Sequence, residues 1–292
     1  MNTILYRPIN YAAEEDCRQI DRLYKDIFHL DLSVKSNIWC QLQRTPLGIL
    51  AINAASGEAV GHFSSSLFCA KIENSPVPFR ISMGFMTDPA YRGQGIATKL
   101  YLHLRDAILA AQDAQFLIGF PNDTSYHMHV DRMEYSLYRD YHFVVLPRGP
   151  HRYTYKSYNG DFSEGRHGMT SPNNRVEHSA SYMNWRYQNP DYNRWQSETG
   201  HLFITVRFQN KIDILYWSEG ALPEELLDFA SFLYETESVE KVTTWNSLDA
   251  LNAYPKEARA YHMCINYLTC SAAEKQAIQH KWLFWMGDCE LF

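Results

Sequence analysis

The chain has 292 residues, enough for one large or two ordinary domains, and its 46% hydrophobic share supplies an ample core. A net charge of −6 without a basic run makes nucleic acid and anionic membrane poor partners and favours a cationic one. No apolar stretch reaches the length of a signal peptide or a membrane span, so a cytoplasmic protein is expected. The six cysteines, Cys17, Cys40, Cys69, Cys264, Cys270 and Cys289, show no C-x-x-C pair and no zinc spacing, and read as buried reduced thiols.

In chain order, Ile4 to Tyr6 predicts a short strand, and Cys17, Ile20, Tyr24, Ile27 and Phe28 fall on one helical stripe. Leu47 to Asn53 and Ala59 to Phe68 read as two strands joined at Ser56-Gly57. Phe79, Ile81, Met83, Phe85 and Thr87 then alternate with polar or small residues, which completes a meander that Pro89 ends. From Ile96 the period changes: Ile96, Leu100, Leu104, Ala107, Ile108 and Ala111 share one face of a helix that begins just after Gly95. Phe116 to Phe120 is an unbroken apolar run, suited to a strand buried on both faces. A second helix is predicted to carry Val130, Met133, Leu137, Tyr138 and Tyr141, followed by a strand from His142 to Leu146 that Pro147 stops.

Beyond it, "NGDFSEGRHGMTSPNN" predicts a linker. In the second half, Leu202, Ile204, Val206 and Phe208 alternate, turn at Asn210-Lys211 and return through Ile212 and Ile214. Pro223-Glu224-Glu225 opens a helix carrying Leu226, Leu227, Ala230, Leu233 and Tyr234. Strands are expected at Val239 to Trp245 and Ala260 to Leu268. The expected division is 1–150, a linker at 151–176, and 177–292 as a second, smaller α+β unit.

The stretch "MTDPAYRGQGIATKL", Met86 to Leu100, sets two glycines at a strand-to-helix turn. There the helix dipole and backbone N–H groups favour an anion, and the missing side chains let it approach. A Walker A loop is excluded, because Lys99 follows Thr98 and precedes Leu100, and a dinucleotide fingerprint lacks its third glycine at Thr98. The pattern that fits is Arg/Gln-x-x-Gly-x-Gly/Ala, met by Arg92, Gly95 and Ala97. With Thr87-Asp88-Pro89-Ala90-Tyr91 before it, this stretch closely resembles the pyrophosphate loop of the GNAT family of acyl-CoA N-acyltransferases.

The resemblance implies a GNAT fold over residues 1–150: a mixed central sheet with helices on both faces, in the α/β class. The second unit looks like a partial copy of it. Because that unit lacks the Arg-x-x-Gly-x-Gly/Ala loop, it is not expected to bind CoA. The resemblance further implies an acyl-CoA donor, most often acetyl-CoA, with its pantetheine arm along Phe85, Met86 and Thr87. Its pyrophosphate is held by Arg92, Gly93, Gln94, Gly95, Ile96, Ala97 and Thr98. Gly84, a glycine inside a strand, marks a bulge or a close backbone approach, and Asn122 takes the place of a polar residue at the end of the following strand.

A thioester is already activated, so an amine attacks it directly; the reaction needs a neutral amine and a proton for the leaving thiolate. Only about one alkyl amine in a thousand is neutral at pH 7, which makes a base useful. "LYRDYHF" resembles the family's Leu-Tyr-x-x-x-Gly-Phe, whose tyrosine supplies the proton; Tyr138 takes that position, with His142 in place of the glycine and Tyr126 as a rival. For the base, His62, Glu73, His127 and His129 are candidates. His127 and His129 are not read as metal ligands, because side chains two apart on a helix diverge, and no metal is expected.

The acceptor is expected to be a small-molecule primary amine. "YMNWRYQNP" resembles a segment of bacterial GNAT proteins linked with cell-surface sugar assembly, which points to an amino sugar, with Trp185 and Arg186 as acceptor contacts at the junction of the halves. A non-catalytic module that senses acyl-CoA is the alternative. Acyl chain length and oligomeric state stay open.

Overall fold

A computed structural model describes residues 3–29, 45–162, 173–188, 191–218 and 220–288; Cys40, Cys289 and the middle of the expected linker lie outside them. The first elements are β1 (Ile4–Pro8), α1 (Glu14–Phe28), β2 (Leu47–Asn53), β3 (Ala59–Ile72), β4 (Ser75–Thr87), α2 (Ile96–Ala111), β5 (Phe116–Gly119), α3 (Asp123–Arg132) and β6 (Ser136–Val145). There follow β7 (Tyr155–Ser157), β8 (Asn174–Val176), α4 (Ala180–Arg186), β9 (Tyr192–Ser197), β10 (Leu202–Phe208), β11 (Lys211–Trp217) and α5 (Pro223–Thr236). The chain closes with β12 (Lys241–Trp245), β13 (Lys256–Tyr267), α6 (Ala272–Ile278) and β14 (Trp282–Leu283).

These elements form two compact units. The first takes residues up to Cys69, then Val77–Arg139 and His262–Lys275; the second takes Ala70–Pro76, Asp140–Tyr261 and the chain from Gln276 on. In the first unit the strand order is β1-β2-β3-β4-β5-β13. The pairings β1/β2, β2/β3 and β5/β13 are antiparallel, while β4/β5 is parallel.

Alternation along β2 decides which helix each face receives. Ile49 and Ala51 pack with Leu100, Tyr101 and Leu104 of α2, whereas Leu50 packs with Ile20 and Leu23 of α1. The two helices therefore cover opposite faces of one sheet, as the α/β expectation requires.

The predicted helix through Tyr141 is corrected by the structure. α3 ends at Arg132, Glu134 takes the left-handed conformation at φ 60°, and β6 starts at Ser136. The apolar spacing at 130, 133, 137 and 141 is also compatible with a helix end followed by a strand. What decides is the left-handed residue, which no helix continues through.

In the second unit, β9, β10 and β11 form an antiparallel run, β12 joins β11 in parallel, and β6 pairs antiparallel with β12. Leu226, Phe229, Ala230 and Leu233 of α5 are buried, and Phe229 meets Phe203 at 4.3 Å and Tyr155 at 4.9 Å between ring centroids. Both units thus contain a strand, a crossover helix and a parallel strand: β4-α2-β5 and β11-α5-β12. Among the described residues no helix is long and apolar enough to cross a membrane.

Candidate functional site

Site geometry begins where β4 and β5 part. Their ladder joins Phe79, Ile81 and the residue between them to Phe116–Ile118, after which β4 runs on to Thr87 while β5 stops at Gly119. At the parting point side chains replace the ladder. The Ser82 hydroxyl donates to the Ile118 carbonyl at 3.2 Å, and the Tyr135 hydroxyl donates to Ser82 Oγ at 3.2 Å. Burial raises the pKa of Tyr135, so it stays a neutral donor.

Gly84 lies just beyond, at φ 60°. A Cβ built there falls 2.6 Å from the Tyr24 hydroxyl and 2.7 Å from Cε1 of His62, so the close approach that calls for glycine is made by these side chains. The Nδ1–H of His62 donates to the Gly84 carbonyl at 2.6 Å. Burial lowers the His62 pKa to about 4, which keeps the imidazole neutral at pH 7.

Beyond the strand, Asp88 accepts from the Ala90 N–H at 2.8 Å and starts a 3-10 turn over Pro89–Tyr91. The Arg92 Nε–H donates to the Thr87 carbonyl at 3.3 Å and closes the loop on the strand end. Gly93 and Gly95 follow at φ 78° and 74°, and a Cβ at either meets nothing within 4 Å. Gly95 caps α2, whose first turn carries no acid. The N–H groups of residues 93–98 make no hydrogen bond with any described residue; the first one used is that of Lys99, to the Gly95 carbonyl. Open donors at a helix start form a receptor for a phosphate-like anion.

Past β5, Asn122 caps α3 by accepting from the Ser125 N–H at 3.0 Å. Its carboxamide oxygen is therefore engaged with the helix. His129 is 3% exposed, donates from Nδ1 to the Ser125 carbonyl at 2.9 Å, and stands edge-on to Phe85 at 5.3 Å. Burial lowers its pKa too. His127, on the same helix, is exposed, so the two histidines face apart. Glu73 sits at the exposed turn between β3 and β4, in the second unit.

The tyrosines are separated by this geometry. Tyr126 lies on α3, half-buried against the core that also takes Phe85. Tyr138 lies on β6 and not at a helix end. The helix end expected near Tyr138 falls instead at Arg132, with Glu134 left-handed after it, so Tyr138 is not the helix-end residue that the motif match took it for.

One residue near this edge had no signal in the sequence. His262 of β13 lies beyond the end of β5, since Cys264 pairs with Gly119, and its Nε2–H donates to Asp123 at 2.9 Å. Tyr126 packs on the His262 ring at 4.7 Å.

Trp185 and Arg186 lie on α4 of the second unit. The Arg186 guanidinium donates to the Gly287 carbonyl at 2.8 Å and the Tyr192 hydroxyl at 2.9 Å, and lies over the Tyr187 and Tyr192 rings at 5.5 Å from each. Trp185 meets Tyr182 at 5.8 Å. These contacts tie α4 to its neighbours.

No protein-family model and no curated protein matches the chain by sequence. Solved structures do match its fold. A protein of Enterococcus faecalis V583 described as a probable N-acyltransferase is similar over 92% of this chain and 73% of its own, at 14% identity and a TM-score of 0.65. A GCN5-related N-acetyltransferase of Kribbella flavida is similar over 92% and 72%, at 11% identity and a TM-score of 0.63. The N-myristoyltransferase of Saccharomyces cerevisiae, with bound myristoyl-CoA, is similar over 91% and 83%, at 8% identity and a TM-score of 0.58. The fold is therefore that of the GCN5-related N-acyltransferases, extended through both units.

Proposed function

We propose that the chain is an acyl-CoA-dependent N-acyltransferase that moves an acetyl or short acyl group to the primary amine of a small molecule. The observation that carries this reading is the row of open N–H groups at residues 93–98, placed directly after a strand that has parted from its parallel neighbour. The loop suits a pyrophosphate, and the stretch Phe85, Met86 and Thr87, which runs past the end of the β4/β5 ladder, suits an amide-bearing arm. The myristoyl-CoA held by a protein of the same fold supports an acyl-CoA as the occupant.

In the reaction the amine nitrogen attacks the thioester carbon, an N–C bond forms, the C–S bond breaks and its electron pair leaves on sulfur. The nitrogen loses a proton and the thiolate gains one. Tyr126 takes the donor's role in this reading, because it stands on α3 directly after the capped turn at Asn122; Tyr138 is the comparison. The acceptor class is a small amine, with an amino sugar as the particular candidate and Trp185 and Arg186 as the contacts to test.

Calorimetry with acetyl-CoA, followed by thiol release in the presence of a panel of amines that includes glucosamine, tests the reading. Micromolar binding and amine-dependent thiol release are expected. Tyr126→Phe is expected to lower kcat about a hundredfold with CoA affinity unchanged, whereas Tyr138→Phe is expected to change it less than about threefold. Binding without thiol release for any amine would favour an acyl-CoA sensor, and no binding would overturn the reading.

A further inference from the structure

β4 and β5 leave their ladder at Ile81 and Ile118, and past that point β4 runs on while β5 stops one residue later. The narrow end of the wedge between them is filled. The Tyr135 hydroxyl donates to Ser82 Oγ, and the Ser82 hydroxyl donates to the Ile118 carbonyl. Gly119, the last residue of β5, lets side chains close down on the backbone there. A Cβ built on it falls 2.9 Å from Ser82 Oγ, 3.3 Å from Cε1 of Tyr135 and 3.7 Å from Cδ2 of His129, so these three side chains cover the strand end.

Aromatic rings continue the closure along β4. The His129 ring meets Tyr135 at 5.1 Å, Phe85 at 5.3 Å and Phe63 at 6.4 Å, each edge to face, and Phe85 meets Phe63 at 4.6 Å. Tyr135, His129 and Phe63 are buried. Both polar members are also held by the backbone of α3 and its end: His129 donates to the Ser125 carbonyl at 2.9 Å, and the Tyr135 N–H donates to the His129 carbonyl at 3.2 Å. Swinging Tyr135 aside would leave a buried hydroxyl without its bond, so the closure is a fixed wall.

In the acyltransferase reading above, on which this inference rests, the donor's pyrophosphate sits at residues 93–98 and its arm runs back along Thr87, Met86 and Phe85. That direction carries the acyl chain towards Ser82, about 10 Å further down the strand from Phe85 at the usual rise per residue. We propose that Tyr135, with Ser82 and His129 beside it, ends the donor's acyl subsite and limits the transferred group to acetyl or propionyl. A longer chain has to displace a buried tyrosine or force methylenes between packed rings, and overpacking of that kind is unfavourable.

The test is calorimetry at pH 7 with free CoA and with acetyl-, propionyl- and hexanoyl-CoA, which share the phosphates and the arm. In the unaltered protein hexanoyl-CoA is expected to bind at least about tenfold more weakly than acetyl- or propionyl-CoA, as overpacking implies. In Tyr135→Ala the order is expected to reverse, with hexanoyl-CoA at least about tenfold tighter than acetyl-CoA, since each methylene that finds apolar room gains about fourfold in affinity. Tyr135→Leu, which keeps an apolar side chain in place, is expected to bring the two within about threefold, and serves if the alanine variant does not fold. Affinity that rises with chain length in the unaltered protein would overturn the proposal by revealing an open subsite. Affinity indifferent to length would overturn it too, because the chain would then lie in solvent, as would a folded Tyr135 variant with the unaltered length profile. A protein that binds no free CoA overturns instead the acyltransferase reading beneath it.

Discussion

The two strand-helix-strand crossovers share a topology and differ at the point where an anion would bind. In β4-α2-β5 the helix is reached through residues 88–95, its cap is a left-handed glycine, and the N–H groups of 93–98 stay open. In β11-α5-β12 the helix starts with Pro223, which has no N–H, and the Glu225 and Leu226 N–H groups both donate to the Leu222 carbonyl. Glu224 and Glu225 then occupy the first turn. Glu225 is buried and accepts from Thr199 at 2.8 Å while pairing with His201 at 2.7 Å. The second crossover thus closes its helix start on the Leu222 carbonyl and sets two acidic residues in its first turn, while the first leaves its N–H groups open and carries no acid there. Topology alone does not make a phosphate site; the chemistry of the strand-to-helix turn does.

The incoming strands differ as well, because β4 carries Gly84 at positive φ and no described residue of β11 does. Gly84→Ala is expected to have the largest effect. Its methyl would meet Tyr24 and His62 in a strained backbone conformation, at a cost of about 4 kcal/mol. Thermal unfolding of the variant checks this, and an unchanged melting temperature would show that β4 does not need a left-handed residue there.

His62 beneath that glycine has a folded pKa of about 4, below its ordinary 6.5. Above pH 6.5 it is neutral in both folded and unfolded chains and its contribution is fully present. As pH falls from 6.5 towards 4 the unfolded chain takes up a proton that the folded one refuses, and about 3 kcal/mol is lost. Urea midpoints measured across this range should fall, and should fall less in His62→Gln.

Next in size is Gly95→Val, expected to weaken CoA binding about a hundredfold, as the loss of one or two bonds to a charged group implies. Calorimetry should find one site per chain in the unaltered protein, and Pro223→Ala should leave that affinity within twofold. A second CoA site, or a Gly95→Val protein that binds normally, would break the contrast between the crossovers.

Arg186→Ala is expected to cost about 2 kcal/mol in melting experiments, because two bonds from a charged donor are lost and the Gly287 carbonyl is left without one. If the same variant instead raises KM for an amine at unchanged stability, its role is acceptor binding.

The smallest effect is a transplant of charge. Glu224→Gln should cost about 0.5 kcal/mol in the second unit, by removing a carboxylate from a helix start. Thr98→Glu should stabilise α2 by a similar amount and weaken CoA binding at least tenfold, which calorimetry and melting can separate.

Much of this was legible from local pattern. The two-residue period placed β2 at Leu47–Asn53 and β10 at Leu202–Phe208, and the change of period after Gly95 placed the start of α2. The glycine loop could be read because its geometry depends on residues adjacent in the chain: positive φ, missing side chains and a helix start are all local properties. Local pattern failed at residues 133–141, where the same apolar spacing serves a helix or a strand and a left-handed Glu134 chose between them. It had no purchase on partners drawn from elsewhere in the chain. That β13 lies beside β5, that His62 sits under Gly84, and that His262 reaches Asp123 are consequences of strand pairing across long separations. Loop-closure entropy grows only slowly with the length spanned, so chain distance hardly restricts which strand completes a sheet. The sequence by itself determined the glycine turn and the helix start whose N–H groups stay open; the tertiary structure decided which side chains stand around them.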